Sequence, residues 1–436
     1  MPLLESVLLK MRLSQPFRHF LNELLLLLLI VPGRATFRNL SRYSGYVEKT
    51  FSRWFRRQVD WAGMNVAAIR AGVPAAHESV LAFDPSYVPK SGDHTEGLGH
   101  FWNGSAGRAE RGLEVNVLSW VDVTANTAYT ISAEMTPPGS GAASSTDTPA
   151  TADTVPTKTA SRRQKKTKAQ AQAKIDKTKD NDSRVDAYLA HLNRVIPQHD
   201  LAGLRYLTAD GFFSKVKFVD GVVALKLDLI SKLRRDADAR YLYTGPYAGR
   251  GAPRRYAGKV DWTQRDPTVF IGVAFPDPEL LLETAVVYLP RLRRSVRVVV
   301  VIHRRTQRTA LLFSTDQHLD PVTLYRYYKA RFQIEFLFRD AKQFAGLTHC
   351  QARRTDALTF QVNASLTTVS LSKLQAAQTH GHLPTPFSMA SLIRRAFNKH
   401  FLKKILAYLA HGQTLTEKSP EYETLCNYGI INPVPA

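Results

Sequence analysis

The chain has 436 residues, with 59 Lys+Arg against 37 Asp+Glu and a formal net charge of +22 at pH 7. A surplus of that size argues against a small-metabolite enzyme and for a polyanionic partner, nucleic acid first and an anionic membrane surface second. Two cysteines, Cys350 and Cys426, neither in a C-x2-C pair, exclude a disulfide framework and a zinc ribbon and point to a reducing, cytoplasmic compartment.

Residues 1–75 read as helical and basic. The longest apolar run, Leu24 to Val31, falls far short of the ~20 residues a membrane span needs. It reads as a buried helix stopped by Pro32 and Gly33, so no membrane is expected as partner. From Thr36 to Trp61 the pattern predicts a helix, a turn at Tyr43-Ser-Gly-Tyr46 and a second helix. On that second helix Lys49, Arg53, Arg56 and Arg57 share one face and Phe51, Trp54 and Phe55 the other. A helix-turn-helix presents such a basic helix to the major groove. The plainer alternative is a helical hairpin with a solvated basic face.

Strands are expected at 78–84, Leu113–Val123 and Asn126–Ala133, the last two joined by a turn at Thr124-Ala125. Residues 136–182, rich in Pro, Gly, Ser, Thr, Ala and Lys with almost no large apolar side chain, read as a disordered basic linker. Its basic second half is either solvated spacer or a DNA-contacting arm. A helix at Ser183–Val195, a strand at Leu204–Ala209 ending in Asp210, a helix at 211–218 and a strand at 222–227 follow. Residues 236–316 are β-rich, with strands at Thr268–Phe275, Thr284–Leu289, Ser295–His303 and Thr309–Thr315. Asp320-Pro321 supplies an N-cap and a first-turn proline for a long helix to about Phe344.

These elements divide the chain into a helical DNA-binding domain (1–75), a core in three parts (76–135, 183–235, 317–380) and the 136–182 linker. A β-rich insertion (236–316) and a helical C-terminal region (381–436) complete it. Three meander strands, a helix, a fourth strand, a helix and a fifth strand make an α/β fold with one mixed sheet. That order is similar to the ribonuclease-H-like fold, interrupted by an insertion.

Four polar residues on the long helix, Tyr328, Arg331, Glu335 and Lys342, fall within an arc of about 60° at about 100° per residue. A carboxylate flanked by two cations and a phenol suits a divalent ion beside a phosphodiester. The plainer alternative is a solvated face with an i,i+4 Arg331–Glu335 pair. The spacing Tyr328-x2-Arg331-x3-Glu335-x6-Lys342 resembles the Y-(2)-R-(3)-E-(6)-K signature of bacterial insertion-sequence transposases of the DDE type. Phe313-Ser-Thr-Asp316 and Arg339-Asp-Ala-Lys342 resemble the surroundings of that signature. Members often carry Trp after the Arg; here Phe332 stands there, which leaves open any base-stacking role.

The resemblance implies two further acids at the ends of neighbouring strands. Asp84, followed by Pro85, and Asp210, in Thr208-Ala-Asp-Gly-Phe-Phe213, fit those places. Asp93 and Asp122 compete with Asp84, and Asp220 with Asp210; any of them alone also suits a turn or cap. His94 and His100 lack further ligands at zinc spacing. The family further implies that Asp84, Asp210 and Glu335 are catalytic and hold two Mg2+ ions, with Mn2+ as a substitute. Arg331 and Lys342 would bind phosphates, and Tyr328 a backbone oxygen.

The implied reaction cuts the ends of a mobile element and joins their 3′-hydroxyls to target DNA. The implied partners are double-stranded DNA (terminal inverted repeats and target) and a second copy in a homodimer, nucleoid-associated in a bacterial cytoplasm. The rival readings are a ribonuclease-H-like nuclease without strand transfer and a catalytically inactive DNA-end-binding regulator.

Overall fold

The centre of the fold is β1 (Ser79–Pro89), a strand buried on both faces. Leu81 and Phe83 point into one core, Val80 and Ala82 into the other, as the period-2 geometry of a central strand requires. β3 (Arg108–Asp122) pairs antiparallel with β1, and β4 (Thr127–Met135) antiparallel with β3 through a turn in which Asn126 takes φ 50°. On the other side β5 (Tyr206–Ala209) runs parallel to β1, and β6 (Asp228–Leu233) parallel to β5. The order β4-β3-β1-β5-β6, three antiparallel strands and then two parallel ones, is the ribonuclease-H-like order expected.

The computed structural model describes residues 2–139, 183–247, 249, 251–379, 387–410, 415–417 and 419–429. From residue 140 on, the linker reading lies outside them.

The sheet does not stop at β6. β12 (Thr309–Ser314) pairs antiparallel with its free edge, followed by β11 (Arg294–His303), β10 (Leu280–Leu289), β7 (Arg240–Leu242) and β8 (Tyr256–Lys259). β9 (Ile271–Val273) adds to β10, and β2 (Gly99–Asn103) to the first residues of β3. The β-rich segment therefore extends the core sheet instead of forming a sheet of its own.

Two expectations need correction here. Residues 222–224 are helical, in α7 (Val216–Ala224), because Phe218, Val219 and Val222 bury one helical face; the following strand starts only at Asp228. The strand expected at Thr268–Phe275 shrinks to three residues, of which Ile271 and Gly272 are exposed and only Val273 is partly buried.

α6 (183–195) and α7 cover the Leu81–Phe83 face of the sheet. α8 (Pro321–Ala330) and α9 (Gln333–Phe344) cover the opposite face. The edge strand β4 is closed off by α10 (Thr355–Thr379) and α5 (Trp61–Gly72). Asn363 on α10 exchanges hydrogen bonds with both backbone groups of Ala133 (2.9 and 2.8 Å), Ser370 accepts from Thr130 N (2.9 Å), and Asn65 donates to Ile131 O (3.0 Å). Side-chain amides and a hydroxyl thus replace the missing strand, which removes an exposed edge.

The N-terminal helices share this core. Phe360 on α10 lies 4.5 Å from Phe55 and 5.2 Å from Trp61, ring to ring. α1 (Pro2–Lys10) and α2 (Gln15–Ile30) pack beside them, and the Leu24–Leu29 run is largely buried in α2, as its apolar character predicts. Among the described residues no helix is long and apolar enough to cross a membrane.

Candidate active site

Register alone brings the first two acids together. Leu81, Ala82 and Phe83 of β1 stand beside Leu207, Thr208 and Ala209 of β5. One residue further come Asp84 and Asp210, on strands roughly 4.8 Å apart; Asp210 follows the end of β5 as expected, whereas Asp84 lies inside β1, which pairs with β3 as far as Pro89 instead of ending at 84. Thr208 Oγ1 donates to Leu81 O (3.0 Å), fixing that register. Asp210 Oδ1 accepts from Phe212 N (2.9 Å) and its carbonyl accepts from Ser231 Oγ (2.7 Å), so the strand end is held while the second carboxylate oxygen is left over.

Glu335 arrives from above, on α9. The single long helix expected from Asp320 to Phe344 is instead broken at Arg331–Phe332. Phe332 N donates to Lys329 O, Ile334 N to Arg331 O and Glu335 N to Phe332 O, at 3.2, 3.0 and 3.0 Å. These i→i−3 bonds make a tight kink with neither Pro nor Gly. Two separate anchors hold its two arms. Tyr327 and Arg326 bond Glu78 at the base of β1 (2.8 and 2.5 Å), pinning α8. Lys342 Nζ donates to Ser86 Oγ and Tyr87 O further along β1 (both 2.8 Å), pinning α9. The kink turns Phe332 outward, 48% exposed.

Arg331, at the kink, lies between the acids. Its guanidinium stands 3.8 Å from Asp84 Oδ1 and 3.5 Å from Glu335 Oε1, and 5.8 Å from the centre of the Tyr328 ring. Its Nε is buried with no hydrogen-bond partner. Burial pushes the Asp84 carboxyl up to about 7; Arg331 opposes this, while Asp210 and Glu335 push it further up. Asp210 and Glu335 therefore stand close enough for their charge to act on Asp84. Burial also raises the Tyr328 phenol and lowers the Lys342 ammonium. Lys342 spends two of its three N–H donors on β1, which leaves one for a ligand.

The rejected competitors lie elsewhere. Asp122 bonds His77 at 2.7 Å at the far end of β3, Asp93 pairs with Arg111 at the surface (2.9 Å), and Asp220 pairs with Arg294. Among the described residues no three His, Cys, Asp or Glu side chains stand close enough to form a ready metal cage. The donor chemistry nonetheless fits a hard divalent cation. Asp84 and Asp210 stand on adjacent strands with Glu335 near enough to act on Asp84, and Arg331 reaches Asp84 and Glu335 at long distance.

In the N-terminal segment, α3 (Phe37–Arg42) begins with Thr36 accepting from Asn39 N (3.2 Å), and α4 (Glu48–Trp54) follows the turn. Lys49, Arg53, Arg56 and Arg57 are exposed, while Phe51 and Phe55 are buried. The second helix ends at Trp54, so Arg56 and Arg57 sit in the turn leading to α5 rather than on the helix. Sequence reasoning missed Ser86, although its place two residues after Asp84 puts it on the same strand face.

A family model described as DDE superfamily endonuclease matches residues 12–275. The match takes in Asp84 and Asp210 and stops before α8 and α9. No curated protein matches the chain. The matched segment is more than half of the chain, lies on a ribonuclease-H-like sheet and contains Asp84 and Asp210 at neighbouring positions of adjacent strands; the chain belongs to the DDE superfamily endonucleases.

Proposed function

We propose that this endonuclease is a DDE transposase that cuts the ends of its own element and transfers their 3′-hydroxyls into target DNA. The observation that carries the reading is the placement of Asp84 and Asp210 side by side on β1 and β5, with Glu335 brought over them by the kinked α8–α9 segment. Asp84, Asp210 and Glu335 would hold Mg2+, which supplies Lewis-acid polarisation of the phosphodiester.

The chain's own residues do the rest. Arg331 offers charge-assisted hydrogen bonds to a phosphate once it lets go of Asp84 and Glu335. The remaining Lys342 donor adds a second cation beside it, and Tyr328 a hydroxyl. Lys49, Arg53, Arg56 and Arg57 form an exposed basic surface for the terminal inverted repeats. Two copies would hold two ends; the exposed Leu402, Leu406 and Leu409 on α11 (Met389–Leu409) support contact between copies.

The test is incubation of the purified protein and Mg2+ with labelled DNA carrying the element's ends, with Glu335→Gln in parallel. Cleavage and joining by the wild type alone is expected. Cleavage that never proceeds to joining, even with free 3′-hydroxyl ends supplied, reduces the protein to a nuclease. Equal activity of the variant removes Glu335 from the site.

A further inference from the structure

A groove of about 1380 Å3 runs between α9, α10 and α11 and the turn from β3 to β4. We propose that it is a second DNA-binding track, which continues from the carboxylates and grips phosphodiester backbone outside the cleavage site. It takes its starting point from the cleavage site proposed above.

α9 borders both places. Glu335 is exposed on α9, and Phe336 and Arg339 beside it line the groove. Arg339 follows Glu335 by one helical turn. Its guanidinium lies 4.8 Å from the centre of the Phe336 ring, which meets Phe332 edge-on at 5.3 Å. A strand passing over the carboxylates thus reaches two aromatic rings and a cation before it enters the groove. Single strands are held by just this mixture of rings and positive charge.

The opposite wall is more strongly basic. Arg395, Lys399 and Lys403 on α11 are all exposed and line the groove. At i, i+4 and i+8 they advance about 6 Å per step along one side of the helix. Lys373, buried in the floor, has one long bond, 3.4 Å to Ala128 O. Of the acids in the groove, Asp340 is paired with Arg339 (2.9 Å) and Asp122 with His77 (2.7 Å), and Glu5 is the third. Against these three the groove sets Arg339, Lys373, Arg395, Lys399 and Lys403, a cationic surplus that suits a polyanion. Regularly spaced cations that face a groove are what phosphate-directed, sequence-independent binding uses.

Fluorescence anisotropy in EDTA, where no cutting occurs, tests this with a labelled random-sequence duplex and the single strand of the same length. The probes are titrated with the full-length protein and its Lys399→Gln/Lys403→Gln and Lys399→Arg/Lys403→Arg variants. The double variant should bind about tenfold more weakly. The slope of log affinity against log salt should fall by about two, one for each phosphate that the variant no longer neutralises. Lys399→Arg/Lys403→Arg should keep the wild-type slope. Whichever probe shows the weakening identifies duplex or single strand as the occupant. An unchanged slope in the double variant, with wild-type DNA binding intact, overturns the groove and leaves the cleavage site standing. Failure of the wild type to bind either probe overturns both.

Discussion

Two polar clusters lie back to back across β1 and β3, and they are built on opposite plans. On the α8–α9 face, Arg331 reaches Asp84 and Glu335 only at 3.8 and 3.5 Å and keeps a buried Nε without a partner. On the α6 face every contact is short. Tyr188 donates to Glu114 (2.5 Å), Asn116 Nδ2 donates to Thr136 (3.0 Å), and His191 is held between Asn116 Oδ1 (2.5 Å) and Ser132 Oγ (2.6 Å). Because the Asn116 amide nitrogen is already used as a donor, its oxygen accepts from His191 Nδ1, and Ser132 donates to a neutral ring. A closed network stiffens the sheet. The cluster a few residues away on the same strands leaves a buried Arg331 Nε without a partner, as the ligand site proposed above requires. The contrast separates structural from functional polarity without reference to residue type, since both clusters contain buried carboxylates.

The sharpest way to break the comparison is Asp84→Asn. Cleavage should fall by roughly 10^3-fold or more, the loss of several kcal/mol of transition-state stabilisation. Thermal stability in EDTA at neutral pH should hold or rise, because an ionised Asp84 works against burial; a lower melting temperature would make Asp84 structural.

Acid titration sharpens the other side. Burial drives the folded-state pKa of His191 down to about 3, below its ordinary value near 6.5. A depressed pKa contributes stability that is present above 6.5 and lost as pH falls towards the folded value. On the order of 3 kcal/mol should disappear between pH 6.5 and 4. Denaturant midpoints for wild type and His191→Gln across that range measure it; parallel curves would refute the assignment.

Tyr188→Phe leaves the Glu114 carboxyl without its phenol donor and should cost about 2 kcal/mol of stability. Activity per folded molecule should stay unchanged; a drop in turnover at equal folded fraction would show the two clusters to be coupled. Ser86→Ala is the mildest change. It removes one of the two β1 bonds of Lys342 and should cost less than about 1 kcal/mol of stability, with a several-fold loss of cleavage, read by comparing single-turnover rates with melting temperatures.

Much of this molecule is legible in the chain because local patterns happen to agree with tertiary demands. The first four core strands follow from apolar runs punctuated by turns, whereas the fifth, expected at 222–227, begins only at Asp228. Asp210 stands out because it closes a strand, Asp84 because it follows an apolar run, although its strand goes on to Pro89, and Glu335 because a helix carries it at a fixed spacing from Tyr328, Arg331 and Lys342. The split of α4 into a basic exposed face and a Phe51–Phe55 buried face is periodicity alone. What the pattern hid depends on partners distant in sequence. Glu114 and His191 look like isolated polar residues until β3 and α6 are stacked.

The sequence by itself determined which side chains could do chemistry and, through strand and helix periods, which face each one takes. Only the tertiary structure decided that the β-rich segment would extend the core sheet, because β12 needed the free edge of β6. It also decided that the Asp320–Phe344 helix would kink, because Glu78, just before β1, and Ser86, eight residues further along it, hold its two arms. No residue at the kink announces it. The bend is imposed by contacts made 248 and 256 residues apart, and local propensity carries no information about contacts at that range.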